Sequence, residues 1–236
     1  MSPTNSGLQE MRPQVIPQGH ASKTQAYVHS ARGARVWDVE GREFIDFAGG
    51  IGTSSRVITL EGREPFTLGV LVLSNFGKMR NLTVDGSVVG RQLDKEFPQE
   101  GRRVASEGSV IVVVATDVPL ISSQLNRVAK RAALGLGRTG SYAASTSGEI
   151  ILAFSTGNRK PRKANTDSRF ITFKSVSDVH INTIYEAAVE ATEEAVINAI
   201  FCSNGMTGRE NRWCPPVPHE RVIELLNKGR KINESN

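Results

Sequence analysis

The chain is poor in cysteine: Cys202 and Cys214 are the only two among 236 residues. Two cysteines make no disulfide framework and their spacing is no metal pattern. Both are expected to be free thiols in a reducing compartment. Histidine is scarce too. His20, His29, His180 and His219 follow no metal-ligand spacing and suggest no serine–histidine–aspartate set. His180 reads as an ordinary helix residue and His219 as a structural one at a helix start, and no metal ion is expected. No apolar run approaches the ~20 residues of a membrane span. The stretch Met1-Ser2-Pro3-Thr4-Asn5-Ser6 lacks the basic-then-apolar pattern of a secretory leader. A cytoplasmic protein with no membrane partner is the expectation.

The charge is diffuse. The net charge is +5, but the basic residues are scattered, and the one cluster is Arg159-Lys160-Pro161-Arg162-Lys163. No aromatic residue is interleaved with it, and Gly157, Asn158 and Asn165 frame it as a solvated loop. Nucleic acid is therefore not an expected partner, and a basic binding protein stays a minor rival reading. With 39% hydrophobic residues the chain has material for a core, in one large domain or two small ones.

The most telling stretch is Glu107-Gly108-Ser109-Val110-Ile111-Val112-Val113-Val114-Ala115-Thr116-Asp117. Val110 to Val114 is a β-branched run suited to a buried strand. Ser109 at its mouth is either a strand-starter or a nucleophile held at a sheet edge. A cut between Gly108 and Ser109 would leave the serine with a free α-amine beside its own hydroxyl. N-terminal-nucleophile hydrolases need that pair, because the amine can serve as general base.

Along the chain, residues 1–24 are polar and proline-bearing and suggest a loose arm. Arg35 to Phe47 alternates around Glu40-Gly41 and predicts a β-hairpin. Strands are expected at Phe66–Leu73, Leu82–Val84, Val110–Ala115, Glu149–Phe154 and Phe170–Lys174, and residues 91–107 read as an exposed loop. Thr116, Asp117 and Pro119 signal a helix start. The helix that follows carries Ile121, Leu125, Val128, Ala129, Ala132 and Leu136 on one face, with Gly135 and Gly137 ending it. A second helix starts near Ser177-Asp178 and runs to about Ala199, and a last one spans about Pro218 to Lys228. Strands and helices alternate loosely, which implies an α/β layered sandwich.

Several motifs stand in a telling order. They are Gly49-Gly50-Ile51-Gly52-Thr53-Ser54-Ser55-Arg56, the strand from Thr67 through Asn75-Phe76-Gly77, Gly108-Ser109 with its valine run, Gly135 to Ser141, Ser147-Gly148-Glu149-Ile150, and Asn204-Gly205-Met206-Thr207-Gly208-Arg209. This order resembles the L-aminopeptidase/D-esterase family, also called β-peptidyl aminopeptidases, over about residues 49–228. Residues 1–51, with Ala31-Arg32-Gly33-Ala34-Arg35-Val36-Trp37-Asp38 at their centre, resemble instead the N-terminal arm of class III aminotransferases of the 4-aminobutyrate type. The two resemblances meet at Gly49-Gly50-Ile51, which suggests a fusion there. No cofactor lysine context is recognisable in the arm, so no pyridoxal phosphate and no other cofactor is expected. Three segments follow from this: 1–50 as the arm, 51–108 as the end of the aminopeptidase α-segment, and 109–236 as its β-segment.

The family resemblance implies an α-β-β-α sandwich of the N-terminal-nucleophile type, incomplete on its N-terminal side, where several strands and part of the substrate pocket are replaced. It implies self-cleavage at Gly108–Ser109, after which Ser109 attacks peptides, amides or esters. Gly108 suits that step because it has no Cβ to obstruct attack on its carbonyl. Asn75 would supply an oxyanion hydrogen bond, an effect of ~3 kcal/mol elsewhere, though Asn-Phe-Gly is also good turn chemistry. Ser147 would relay or orient protons, and Glu149 would hold the nucleophile's ammonium or the substrate's amine. The alternative for this pair is a polar turn leading into Ile150. The general base is either the Ser109 α-amine or Ser147. A homo-oligomer of cleaved chains is a further implication. An inert remnant of the family, without catalysis, is the rival reading.

Overall fold

The computed structural model describes residues 28–32, 35–38, 43–45, 50–60, 64–97, 108–145, 147–159, 171–203, 205–207 and 213–234. They fall into two compact units, one within Met1–Ala48 and Gly205–Pro215, the other within Gly49–Asn204 and Pro216–Asn236. In the first unit, β1 (Val28–Arg32), β2 (Arg35–Asp38) and β3 (Glu43–Ile45) form an antiparallel sheet in that order. The hairpin predicted from the alternation is the β2–β3 pair, with Val36 opposite Phe44. The expected loose arm, residues 1–24, lies outside the described residues.

The second unit is built on one sheet. Its strands are β4 (Ile51–Ile58), β5 (Phe66–Asn75), β6 (Ser109–Thr116) and β7 (Gly148–Ser155), side by side in that order. β4, β5 and β6 pair antiparallel, while β6 and β7 pair parallel. A parallel pair needs a crossover, and helix α2 (Ser122–Arg138) supplies it once α1 (Gly90–Glu96) has filled part of the β5–β6 connection. Helix α3 (Ile181–Phe201) packs beside α2, and the two cover one face of the sheet. Among the described residues no helix is long and apolar enough to cross a membrane.

The core forms where alternate strand residues meet these helices. Leu68, Val70 and Val72 of β5 and Val110, Val112 and Val114 of β6 are buried against Val128, Ala132 and Leu136 of α2 and against Ile184, Ala188, Ala191, Ala195 and Val196 of α3. The alanine-rich face of α3 lets its backbone lie close to the sheet. A Cβ on Gly52 would run into the Ala195 carbonyl oxygen, so glycine is required there by space. Gly135 does not end α2 as its composition suggests. It is buried where α2 meets α3, and a Cβ there would run into the Val189 carbonyl oxygen. Close approach of two helices, not a helix stop, fixes that glycine.

Other expectations are corrected. Thr116 and Asp117 do not start α2. The Thr116 hydroxyl donates to the Thr67 carbonyl at 2.8 Å, and the Asp117 carboxylate accepts the Thr67 N–H at 2.7 Å. These side chains clamp β5 to β6 because the start of β5 passes within their reach. Residues 91–96 are not loop but part of α1, held by the burial of Leu93; residues 98–107 lie outside the described set. Leu82–Val84 is not a strand. A 3₁₀ turn at Met79–Asn81 leads to an isolated bridge between Val84 and Ser87 around Asp85 and Gly86. Phe170 lies outside the described residues, and 171–174 form no ladder. Asn158 takes the place of a partner strand, accepting the Lys174 N–H and donating to the Lys174 carbonyl, both at 2.9 Å.

Helix α4 (His219–Glu234) closes a smaller cluster, where Val222 is buried with Val89 and Leu93. Arg221 on α4 reaches the Glu96 carboxylate through two nitrogens, at 2.7 and 2.5 Å, and also Glu224 at 2.6 Å. The guanidinium, with Gln92 assisting, holds the Glu96 carboxyl down at about 2 against an ordinary 4.5. The first unit also contains the short antiparallel pair β8 (Met206–Thr207) and β9 (Trp213–Cys214).

Candidate active site

Three strand ends meet at one end of the β4–β7 sheet. β5 ends at Asn75, β6 begins at Ser109 and β7 begins at Gly148, and the register sets Asn75 opposite Ser109 and Ser109 opposite Gly148. Directly paired residues share a face, with Cβ atoms ~5 Å apart. Asn75 and Ser109 are both exposed, on the face that α2 and α3 leave open. Among the described residues the Asn75 carboxamide has no hydrogen-bond partner.

The Ser109 Oγ accepts a hydrogen bond from the Gly148 N–H at 3.4 Å. A backbone donor there favours negative charge on that oxygen. Gly148 allows the approach, since a Cβ on it would sit only 3.3 Å from the Ser109 Oγ. Gly108 is fixed just as closely, because a Cβ there would run into the Asn75 carbonyl oxygen. The peptide bond between Gly108 and Ser109 is thus pressed against the end of β5, beside the asparagine.

Ser147 and Glu149 sit on either side of Gly148. They pair with each other, the Ser147 hydroxyl donating to the Glu149 carboxylate at 2.7 Å. Both are half-buried. The alternation of β7 places Glu149 with Ile151 and Ala153 on the helix-covered face, whereas Gly148 shares the open face with Ser109. The strand start therefore gathers all the expected residues, but it joins Ser109 to the Ser147–Glu149 pair through the Gly148 backbone and not by side-chain contact. Gly148 is the site residue that sequence reasoning passed over. Its signal was the glycine between two polar residues, where any side chain would have crowded the serine.

Two surface hollows among the described residues lie away from this end. One, lined by Glu64, Pro65, Phe66 and Asp117, is at the opposite end of the sheet, and the other lies across the middle of the open face. Among the described residues no group of three His, Cys, Asp or Glu side chains could hold a metal ion. His180 precedes α3, and His219 begins α4 with its ring tilted by 32° against that of Phe201, centroids 5.3 Å apart.

Comparison with known proteins gives this geometry a context. The chain is 36% identical over 203 residues to beta-peptidyl aminopeptidase BapA of Sphingosinicella microcystinivorans, covering 81% of this chain and 50% of that protein. The solved structure of the L-aminopeptidase D-Ala-esterase/amidase from Ochrobactrum anthropi, described as a prototype for the serine aminopeptidases and a variant of the Ntn hydrolase fold, superposes with a TM-score of 0.66. It is 38% identical and covers 80% of this chain and 50% of that one. The chain thus spans about half the length of these relatives, and its sheet and helices are those of an Ntn-hydrolase-type α/β fold. A stretch of 48 residues is 48% identical to 4-aminobutyrate aminotransferase GabT of Escherichia coli, and amounts to 20% of this chain and 11% of that protein. The profile of peptidase family S58 matches residues 24–214, the span that holds Asn75, the Gly108–Ser109 bond and Ser147 to Glu149, and the chain belongs to that family.

Proposed function

We propose that this chain is a serine aminopeptidase or amidase whose nucleophile, Ser109, is freed by self-cleavage at Gly108–Ser109. The observation that carries the reading is the register that sets Asn75, Ser109 and Gly148 side by side at one sheet end. Membership of family S58 and the aminopeptidase activity named for its relatives support it. In the first step the Ser109 Oγ attacks the Gly108 carbonyl carbon. The Ser109 nitrogen leaves and takes up the hydroxyl proton, which gives an ester. Water then splits the ester into a Gly108 carboxylate and a Ser109 with both hydroxyl and α-amine free. That hydroxyl attacks the carbonyl carbon of the N-terminal residue of a peptide, amide or ester, with Asn75 donating to the oxyanion; the amine or alcohol leaves with a proton, and water then hydrolyses the ester on Ser109 to release the N-terminal residue. The α-amine or Ser147 takes the proton, and Glu149 holds an ammonium group at the site. Residues 51–108 and 109–236 are then the two segments of the mature catalytic unit.

The denatured mass of purified protein tests this. Fragments 1–108 and 109–236 are expected, with Ser109→Ala left whole and inactive toward aminoacyl amides. A cut and active S109A protein would end the proposal. The rival reading is a family fold without catalysis. A single uncut wild-type species, inactive on the same amides, would select it.

A further inference from the structure

The turn that follows Asn75 carries cations without partners. Gly77 bends the chain with a φ of 81°, and Lys78 then leads into the 3₁₀ turn at Met79–Asn81. Lys78 and Arg80 are exposed. So is Arg91 at the start of α1, next to Gly90, whose backbone lies so close to this turn that a Cβ on it would run into the Met79 carbonyl oxygen. Among the described residues none of these three side chains has a hydrogen-bond or ion-pair partner. Arg56, Arg127, Arg138 and Arg221, by contrast, are each ion-paired. The turn is held at the Ser109 end of the sheet from both sides. Lys78 comes three residues after Asn75, at most ~10 Å of chain. Past the turn, the Thr83 N–H donates to the Thr139 carbonyl at 3.1 Å, and a Cβ on Gly140 would run into the Asn81 carbonyl oxygen. These contacts pin the turn to the loop that leads from α2 to Ser147.

Strand order sets opposite charges on the two sides of Ser109. Glu149 belongs to β7, one neighbour of β6, and Lys78 and Arg80 continue from β5, the other neighbour. We propose that Lys78 and Arg80 form a subsite for the terminal carboxylate of a short peptide. The substrate then lies across the strand ends, its ammonium toward Glu149 and its carboxylate toward the turn. This inference rests on the proposed roles of Ser109 and Glu149 and adds a substrate class to them: short zwitterionic peptides. The scale fits. Strands lie ~4.8 Å apart, and each residue beyond the attacked carbonyl adds ~3.5 Å. One or two such residues carry a carboxylate past Asn75, into the reach of long basic side chains. Arg91 adds to the positive potential there, which draws an anion toward this side of the site.

Trialanine and its C-terminal amide share the bond to be cut and differ in the terminal charge, so the pair tests this. The wild-type chain is expected to favour the acid about tenfold in kcat/KM, the effect of one charge-assisted hydrogen bond, through KM and not kcat. Added salt is expected to narrow that ratio. Lys78→Ala combined with Arg80→Ala is expected to bring the ratio to about one by raising KM for the acid, with self-cleavage and circular dichroism showing that the variant is folded. Lys78→Gln with Arg80→Gln is a second variant of the same design, should the alanine pair not fold. Lys130→Ala removes an exposed cation midway along α2 and is expected to keep the wild-type ratio. A cut, active wild type that treats acid and amide alike overturns this proposal and leaves the proposed catalysis standing. A folded double variant that keeps the wild-type ratio overturns it in the same way. A wild type that stays uncut and hydrolyses neither peptide overturns both.

Discussion

The two faces of the β4–β7 sheet come from the same strands and differ in what they meet. On one, Leu68, Val70, Val110, Val112 and Val114 are sealed under α2 and α3. On the other, Leu71, Ile111, Ile150 and Leu152 stand exposed beside Ser109 and Asn75. From Val110 to Val114 in β6 the residues of both faces are β-branched and apolar, so the strand reads as one unbroken run. Runs of that kind belong to strands covered on both sides. Chemistry and stability are also divided between the faces. The sealed face holds the molecule together, while the open face carries Ser109, the proposed nucleophile, at its end.

The contrast can be broken most severely at Gly52. Gly52→Val drives a side chain into the Ala195 carbonyl, and no cooperative thermal transition is expected from the variant. Next in size is the pair Leu68→Ala and Leu71→Ala, in one strand but on opposite faces. Leu68 is 0% exposed and Leu71 41%. Urea denaturation is expected to show a loss of ~2–5 kcal/mol for the first and less than about 1 kcal/mol for the second. Equal losses would mean that the open face is as fully buried in solution as the sealed one. Arg56 ties edge strand β4 to α3 through Glu190 at 3.0 Å and Glu194 at 2.5 Å. Arg56→Ala is expected to cost ~0.5–1 kcal/mol in the same assay, less at high salt.

The smallest effect is pH-dependent and lies away from the sheet. Glu96 titrates at about 2 in the folded chain, against an ordinary 4.5, because Arg221 and Gln92 hydrogen-bond its charged form. A depressed carboxylate adds stability above its ordinary value and loses it as pH falls toward the folded one. Glu96→Gln should therefore melt below wild type at neutral pH, and the gap should close between about pH 4.5 and 2. A gap that stays constant across that range would remove the ion pair between α1 and α4 as its cause.

Strong local patterns made part of this fold legible. The valine run gave β6, three-and-four spacing gave α2 and α3, and the family motifs pointed to the end of the sheet where Asn75 and Ser109 meet. What stayed hidden had physical causes. Gly52-Thr53-Ser54-Ser55-Arg56 in β4 looks like loop because its small polar residues serve closeness to α3. There the Ser54 hydroxyl donates to the Ala191 carbonyl at 2.7 Å and Gly52 clears the helix backbone. Helix α1 was obscured by Arg91, Asp94, Lys95 and Glu96, which face water, with only Gly90 and Leu93 buried. Ile171 to Lys174 has the composition of a strand, but among the described residues it joins no sheet, and the Asn158 side chain bonds the Lys174 backbone instead. The link from Ser147 and Glu149 to Ser109 was illegible for another reason. It passes through a backbone N–H, and no side-chain pattern records that.

The mixed direction of the sheet bears on how a cut chain behaves. β6 is antiparallel to β5 and parallel to β7, with both ladders running from Ser109 to Thr116. A break at Gly108–Ser109 severs the covalent thread at the first rung of both ladders and leaves every rung in place. The two pieces then remain interleaved, since β5 of one lies between β4 of the same piece and β6 of the other. Such a molecule separates only when it unfolds. It travels as one particle in a native gel and as two bands once denatured, with its new terminus pinned between neighbouring strands from the moment it forms.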